Sequence, residues 1–346
     1  MITKEYADFS WQQAEQLLSI DSPTGYTDYA ALWLKSSFEM LGFPASITTK
    51  GGILVDLGGE DADNGLMLAA HADTLGAMVA EVKGNGRLRL TPLGGMNPNN
   101  AEAENVRIYT RGGKVLEGTF QLCNASIHVN GDYNSAKRSY DTMEVVLDED
   151  VKSAADTRNL GIEVGDIVCF DPRTRRTASG YLKSRFLDDK LSVGILLGFA
   201  RYIADNHFTL SRRTYLHITV YEEVGHGGSG SLPQGVTEAI SVDMGCVGDG
   251  LGCTERKVSI CAKDSGGPYS YQVVGKLIEA AKKTDADYAV DVYPYYGSDV
   301  EATLRAGFDI RHGLIGPGVY ASHGYERSHI DGVWNTLKVL CGYLDC

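Results

Sequence analysis

One stretch of helical length is apolar on nearly every side, and this feature constrains the fold most. In DDKLSVGILLGFARYIADN, the residues from Leu191 to Ile203 leave almost no polar face. A helix of this kind must be covered by other elements all round, which is typical of the core of a large domain. Apolar strands are predicted before it, in GLMLAAHAD, and after it, in RTYLHITVYEE. The sequence therefore predicts an α/β fold.

Further helices alternate with strands along the chain. SPTGYTDYAALWLKSSFEMLGF predicts a helix with one apolar face that ends at Gly42. YSYQVVGKLIEAAKKTDADY and DGVWNTLKVLCGYL predict two more, and AISVDMG predicts another buried strand. Helices that alternate with apolar strands indicate a sheet covered by helices. We therefore predict a mixed sheet flanked by helices.

The pattern changes to short strands and turns between residues 77 and 184. Hairpin turns are predicted at Asn85-Gly86 and at Gly112-Gly113, each between alternating apolar residues. We interpret 77–184 as a small β domain inserted into the α/β domain. The α/β domain would then consist of residues 1–76 and 185–346.

Charge and cysteine content narrow the possible partners. A net charge of −13 argues against binding to nucleic acid or to anionic membranes, which attract basic surfaces. Seven cysteines without a CxxC pair predict thiols in a reducing compartment, not a disulfide framework or a cysteine zinc site. MITKEYADFSWQQAEQLL lacks the apolar core of a signal peptide, and no apolar run is long enough to span a bilayer. We expect a cytoplasmic protein.

Two adjacent glutamates, Glu222 and Glu223, stand where the apolar strand RTYLHITVYEE gives way to glycine. Successive side chains of a strand point to opposite faces, so the pair would begin on opposite sides of the sheet. Both carboxylates can serve one site only if the strand ends there and the backbone turns. The glycines that follow permit such a turn.

Histidines and carboxylates also follow the other predicted strands or begin a helix. They lie in the segments LAAHAD, FLDDK, SVDMG and ASHGYE. Each segment alone is more typical of a surface or capping position, but ligands bind at the carboxyl ends of strands in open α/β sheets, where these segments could converge. Mixed histidine and carboxylate ligands suit zinc, manganese or cobalt, and a carboxylate can bridge two ions. The set therefore predicts a metal site.

A competing motif lies in the same region. GHGGSG, residues 225–230, matches GxGxxG directly after a strand, and Asp243 lies near the distance expected for a ribose-binding acid. However, Pro233 and Gly235 interrupt the helix that a dinucleotide fold needs next. The two glutamates before the glycines would also repel a pyrophosphate. No GxSxG motif or recognisable cysteine frame indicates a nucleophile instead.

Taken in order, HAD, GDIVCFDP, FLDDK, EEVG, SVDMG, GSD and a terminal histidine segment resemble the tetrahedral aminopeptidase family. These are dinuclear-metal glutamyl and deblocking aminopeptidases, and the resemblance covers nearly the whole chain. It implies a zinc-peptidase-like α/β domain with a β-barrel-like insert. It also implies peptide substrates with a free N-terminus and a homo-oligomer, commonly a tetrahedral dodecamer.

The resemblance also implies a role for each site residue. It implies five ligands for two divalent ions, zinc first and cobalt or manganese as alternatives: His71, Asp188, Glu223, Asp243 and His323. His71 and Asp243 would hold one ion, Glu223 and His323 the other, and Asp188 would bridge them. Glu222 would be the general base, and Asp73 would orient His71. The peptide between Asp188 and Asp189 is a candidate for the cis form.

Several departures from the family pattern leave alternatives open. Thr74 replaces an acid after HAD, His226 replaces an aliphatic residue after EEVG, and SHGYERSH replaces the common HSPxE. His323 and His329 therefore compete for the last ligand position, and His323 is preferred because it directly follows the apolar VYAS. Asp299 either lines a specificity pocket or lies in a solvated loop. Alternative functions are a related metal-dependent carboxypeptidase or deacylase, and a non-catalytic metal-binding homologue.

Overall fold

A computed structural model describes residues 2–346, which divide into two compact units. The first unit contains the residues up to Asp73 together with Arg173–Cys346, and the second is Thr74–Pro172. The second boundary lies at Pro172 and not at residue 184, because the two strands that follow pair with the sheet of the first unit. No helix in residues 2–346 is long and apolar enough to cross a membrane.

The described residues form seven α-helices, which in chain order are α1 (Lys4–Leu18), α2 (Asp28–Met40), α3 (Ala154–Leu160), α4 (Leu187–Asn206), α5 (Tyr271–Lys283), α6 (Asp299–Arg305) and α7 (Ile330–Leu344). They also form eighteen strands: β1 (Ala45–Ile47), β2 (Ile53–Asp56), β3 (Asp61–His71), β4 (Gly76–Val82), β5 (Leu88–Leu93), β6 (Glu104–Tyr109), β7 (Val115–Leu122), β8 (Met143–Leu147), β9 (Ile167–Phe170), β10 (Arg175–Arg176), β11 (Tyr181–Ser184), β12 (Arg212–Thr219), β13 (Val236–Val242), β14 (Gly245–Val247), β15 (Val258–Lys263), β16 (Tyr288–Val292), β17 (Arg311–Tyr320) and β18 (Glu326–His329).

The first unit is built on one mixed sheet. Its strands run in the order β1-β2-β12-β3-β13-β17-β18-β11-β10, with β14 and β15 also paired to β17 and β16 paired to β15. The four central strands, β12, β3, β13 and β17, are parallel, and antiparallel strands flank them. The central strands are buried over most of their length because helices pack against the sheet. The predicted mixed sheet with helices is confirmed.

The apolar stretch is α4, whose side chains from Leu187 to Ala200 are all buried. Part of its cover comes from α1, a helix that the sequence analysis did not predict. Two glycines of α4 let α1 approach closely: a Cβ at Gly194 would lie 2.4 Å from the carbonyl oxygen of Ser10, and one at Gly198 would lie 2.0 Å from its hydroxyl. The buried side chains of α1, which include Trp11, Ala14 and Leu17, therefore belong to the core.

The second unit is a closed barrel of six strands in the order β4-β5-β8-β7-β6-β9. The first two strands form a hairpin around Gly86, and β6 and β7 form another around Gly113. Both glycines have φ of +83°, which the turns require and which other residues rarely adopt. The predicted β-barrel-like insert is confirmed.

His217 lies on β12 in the apolar core, where its Nδ1 has no hydrogen-bond partner among residues 2–346. Burial lowers the pKa of this imidazole from its ordinary 6.5 to about 4. The unfolded chain therefore binds more protons between these two pH values, so stability falls as the pH falls through this window. When the pH is lowered from 7.5 to 5, we expect protonation of His217 in the unfolded chain to lower the free energy of unfolding by about 2 kcal/mol.

The measurement is urea unfolding of the metal-free wild type and of His217→Leu at both pH values. Leucine cannot be protonated, so the variant should lose about 2 kcal/mol less than the wild type on acidification. Equal losses in the two proteins would contradict a neutral, buried His217.

Candidate metal centre

Four parallel strands end at the same edge of the sheet, and a candidate site residue stands at the end of each strand or shortly after it. His71 is the last residue of β3, and Asp243 directly follows β13. β12 ends at Thr219, just before the glutamate pair, and β17 ends at Tyr320, just before His323. Parallel neighbours bring their carboxyl ends together, which is why distant segments meet here.

The adjacent glutamates lie in a short 3-10 turn, Glu222–Val224, that follows Tyr221 in the left-handed region at φ +70°. The strand therefore ends and the backbone turns, as the pair requires to serve one site. Buried Asp73 holds this turn: its Oδ1 accepts the N–H of Glu222 at 3.1 Å and its Oδ2 that of Glu223 at 3.4 Å. Oδ2 of Asp73 also accepts the hydroxyl of Thr24 at 2.7 Å.

The ring of His71 is buried and points one nitrogen into the site. Its Nδ1 lies 2.9 Å from the backbone carbonyl oxygen of Asp73 and 3.6 Å from the Asp73 carboxylate. The nearest orienting group is thus the carbonyl of Asp73, where a carboxylate contact was expected. A proton on Nδ1 donated to this carbonyl leaves the lone pair of Nε2 facing the site, as a metal ligand requires.

The carboxylate of Asp188 lies between two histidines. Its Oδ1 is 3.1 Å from Nε2 of His71, and its Oδ2 is 3.5 Å from Nε2 of His323. The peptide that joins Asp188 to Asp189 is cis. Oδ2 of Asp189 accepts the backbone N–H of His71 at 3.2 Å. A carboxylate with one oxygen toward each histidine has the arrangement of a bridging ligand.

The donor set fits divalent metal ions. Two groups of side chains have ligand atoms within 4.8 Å of one another: His71, Asp188 and Glu223, and His71, Asp189 and Asp243. Oε2 of Glu223 lies 3.6 Å from Nε2 of His323, while its buried Oε1 has no hydrogen-bond partner among the described residues. Nitrogen and carboxylate oxygen donors of this kind suit zinc, cobalt or manganese.

The pKa values of the clustered side chains also favour bound cations. Burial raises the pKa of Asp243 to about 7, and it raises the pKa values of Glu222 and Glu223 well above their ordinary range. Burial opposes ionisation of Asp188 too, but hydrogen bonds from His323 and His71 lower its pKa. The hydrogen bond with Asp188 is also the main reason that the pKa of His323 rises to about 9. Packed carboxylates of this density are stabilised in their charged form by bound cations.

The other candidate histidines, His226 and His329, are not among the clustered ligands, and the glycine-rich motif does not form a nucleotide-binding turn. His329 is the N-cap of α7, where its Nδ1 accepts the N–H of Asp331 at 3.0 Å, and its Nε2 faces the carbonyl oxygen of Ser179 at 2.9 Å. His226 is exposed. No helix follows the GHGGSG segment, so this segment does not form a dinucleotide-binding turn.

One residue of the site was missed in the sequence, and for another the sequence left two positions open. Glu326 is buried and accepts the backbone N–H groups of Asp188 at 3.0 Å and His323 at 2.9 Å. Its only sequence signal is its place three residues after His323. Asp299 is buried at the start of α6 and accepts the hydroxyl of Thr219, so it does not lie in a solvated loop.

A cleft of about 530 Å³ opens onto the cluster. Four of the predicted ligands line it together with Glu222 and Asp299: Asp188, Glu223, Asp243 and His323. Tyr295, Tyr296 and Arg305 also line the cleft. The lining therefore combines five carboxylates with two tyrosines and one arginine.

Comparison with known proteins decides the family. Residues 51–339 match the family described as M42 glutamyl aminopeptidase. The chain belongs to this family. It is 44% identical to the protein YhfE of Bacillus subtilis (strain 168) over 95% of each chain. It is 26% identical to the glutamyl aminopeptidase of Lactococcus lactis subsp. cremoris (strain MG1363), over 63% of this chain and 61% of that one. The predicted family resemblance is confirmed.

A solved structure of another peptidase has the same fold as this chain. The TET1 peptidase of Pyrococcus horikoshii, which can assemble into a tetrahedron or a large octahedral shell, superposes with a TM-score of 0.84. The sequence identity is 19%, and the match covers 97% of this chain and 99% of that one. M42 peptidases are metal-dependent, which agrees with the candidate ligands. Family membership and the named relatives support aminopeptidase activity.

Proposed function

We propose that the chain is an aminopeptidase that uses two divalent metal ions and Glu222 as the general base. One observation carries this proposal: the Asp188 carboxylate lies between His71 and His323, with Glu223 next to the second histidine. A carboxylate with one oxygen toward each of two histidines, one at the end of β3 and one in the loop after β17, is expected in a dinuclear site. A mononuclear site does not require it.

The ligands divide into two sets around Asp188. His71 and Asp243 would hold one ion, and Glu223 and His323 the other, with zinc favoured over cobalt and manganese. When bound, the ions polarise the scissile carbonyl group and lower the pKa of water toward about 7. The contacts of Asp73 with His71 and with the glutamate turn keep both sets in place.

Glu222 is the acid and base of the proposed reaction. Its Oε2 lies 3.7 Å from Nε2 of His71, close to the ligands, and its backbone is tied to Asp73. Glu222 would accept a proton from the attacking water and deliver it to the amine that leaves. Because burial raises its pKa, the carboxyl group can hold that proton between the two transfers.

The named relatives favour a substrate with a free N-terminal amine. Residues 51–339 match the M42 glutamyl aminopeptidase family, and a similar protein is the glutamyl aminopeptidase of Lactococcus lactis. We therefore propose peptides with a free N-terminus as substrates. The assembly of the similar TET1 peptidase supports a homo-oligomer, and we propose a tetrahedral dodecamer as its form.

Three measurements test the proposed function. Elemental analysis with anomalous scattering from a crystal should find two ions per chain, one on each side of Asp188. Peptides with a free N-terminus should be cleaved, and the same peptides with an acetylated N-terminus should not. Chelation should abolish cleavage, and zinc, cobalt or manganese should restore it. Cleavage of the acetylated peptides at an equal rate would favour a deacylase or endopeptidase. No cleavage of either set by the metal-loaded chain would contradict an enzyme.

A further inference from the structure

Glu326 is a buried carboxylate that touches two candidate ligands without being one of them. It is the first residue of β18, and its side chain is 2% exposed. Its Oε2 accepts the N–H of Asp188 at 3.0 Å, and its Oε1 accepts the N–H of His323 at 2.9 Å. One carboxylate thus joins the start of α4 to the loop between β17 and β18.

Both backbone segments that Glu326 joins are irregular. Asp188 has non-helical dihedral angles within the first turn of α4. His323 lies in a loop where it and Ala321 both have φ of +59°, in the left-handed region. Neither N–H is held by a helix or strand pattern, so the carboxylate of Glu326 sets how far apart these two backbone positions lie.

We propose that Glu326 is a positioning residue that sets the spacing between Asp188 and His323 and thereby the affinity of the ion they share with Glu223. The inference rests on the proposed dinuclear site. A shift of either backbone segment would move Oδ2 of Asp188 away from Nε2 of His323, which are 3.5 Å apart. Residues that hold metal ligands in place commonly change metal affinity by roughly 10–100-fold when replaced.

The chemistry of the side chain makes the test specific. A carboxylate offers one acceptor oxygen to each N–H group. An amide of the same shape offers a single oxygen, and its NH₂ group would face the other N–H donor to donor. The substitution Glu326→Gln therefore keeps the volume of the side chain but breaks one of the two anchors.

Asp291 provides a matched control in the same unit. It is also buried, and its two carboxylate oxygens accept the N–H groups of Gly252 at 2.7 Å and Cys253 at 3.0 Å. It does not line the metal cleft. Asp291→Asn thus makes the same chemical change, with the same loss of one backbone anchor, away from the proposed ligands.

The experiment titrates Zn²⁺ and Co²⁺ into the metal-free wild type, Glu326→Gln and Asp291→Asn, with a chromophoric chelator as competitor. The wild type should bind two ions. In Glu326→Gln we expect one of the two ions, the one assigned to Glu223 and His323, to bind roughly 10–100-fold less tightly, and the Co²⁺ absorption spectrum to change. Asp291→Asn should bind both ions as the wild type does. If Glu326→Gln does not fold, Glu326→Asp, which withdraws both oxygens by one methylene, replaces it with the same expected direction.

The outcomes separate this inference from the proposed function. A wild type that binds two ions, with Glu326→Gln binding both with unchanged affinity, would overturn the positioning role alone. Equal metal loss in Glu326→Gln and Asp291→Asn would also overturn it, because the effect would then be a general cost of losing a buried carboxylate. A wild type that binds fewer than two ions would overturn the dinuclear site itself.

Discussion

Replacing Glu222 with glutamine is expected to lower kcat by about 10²–10⁴-fold while both metal ions stay bound. Glutamine keeps the size of the side chain, and the backbone N–H at this position still donates to Asp73. The amide cannot accept a proton from water, so the variant loses the general base and keeps the site. The measurement combines steady-state kinetics on a peptide with a free N-terminus and elemental analysis of the same preparation.

The neighbouring glutamate is the matched control. Glu223 lies in the same turn, but its Oε2 faces His323 at 3.6 Å. Glu223→Gln should therefore lose affinity for one ion, and excess metal should restore part of its activity. Reversed results, with metal lost from Glu222→Gln and kept in Glu223→Gln, would exchange the two roles. Turnover of Glu222→Gln within about tenfold of the wild type would remove the residue from the mechanism.

The sequence predicts that the candidate ligands lie close together because most of them stand at strand ends. His71, Asp243 and the glutamate pair all stand at or shortly after the end of apolar runs that predict buried strands. In a parallel sheet such ends must meet at one edge. Local pattern and general topology therefore place these side chains near one another, and the family resemblance assigns their roles.

Other parts of the site depend on contacts that no local pattern encodes. The N–H of Asp188 meets a carboxylate 138 residues away in sequence, on Glu326. Thr24 likewise reaches Asp73 from a turn before α2. The helix α1 was missed for a related reason: its packing depends on glycines of α4, which as isolated residues predict only a weaker helix. Such long-range pairs follow from the packed fold and not from spacing.

Replacing Gly316 with alanine is expected to lower the free energy of unfolding by about 3 kcal/mol or more and to weaken metal binding. Gly316 lies on β17, where a Cβ would stand 1.4 Å from the backbone carbonyl oxygen of Asp243. Backbone cannot rotate away as a side chain can, and Asp243 is also tied to Ile315 by an N–H···O bond of 2.9 Å. The whole segment that carries Asp243 would have to move, and its carboxylate with it.

Gly275 gives the control for a glycine-to-alanine change. It lies within α5 and has no atom within 4 Å of an added Cβ, so Gly275→Ala should stabilise the protein by about 0.5–1 kcal/mol through helix propensity. Urea unfolding of the metal-free variants separates stability from binding, and metal titration then reports the displacement of Asp243. A Gly316→Ala variant as stable as the wild type would mean that β17 does not pass so close to Asp243. A variant that is destabilised yet binds both ions normally would mean that Asp243 is not a ligand.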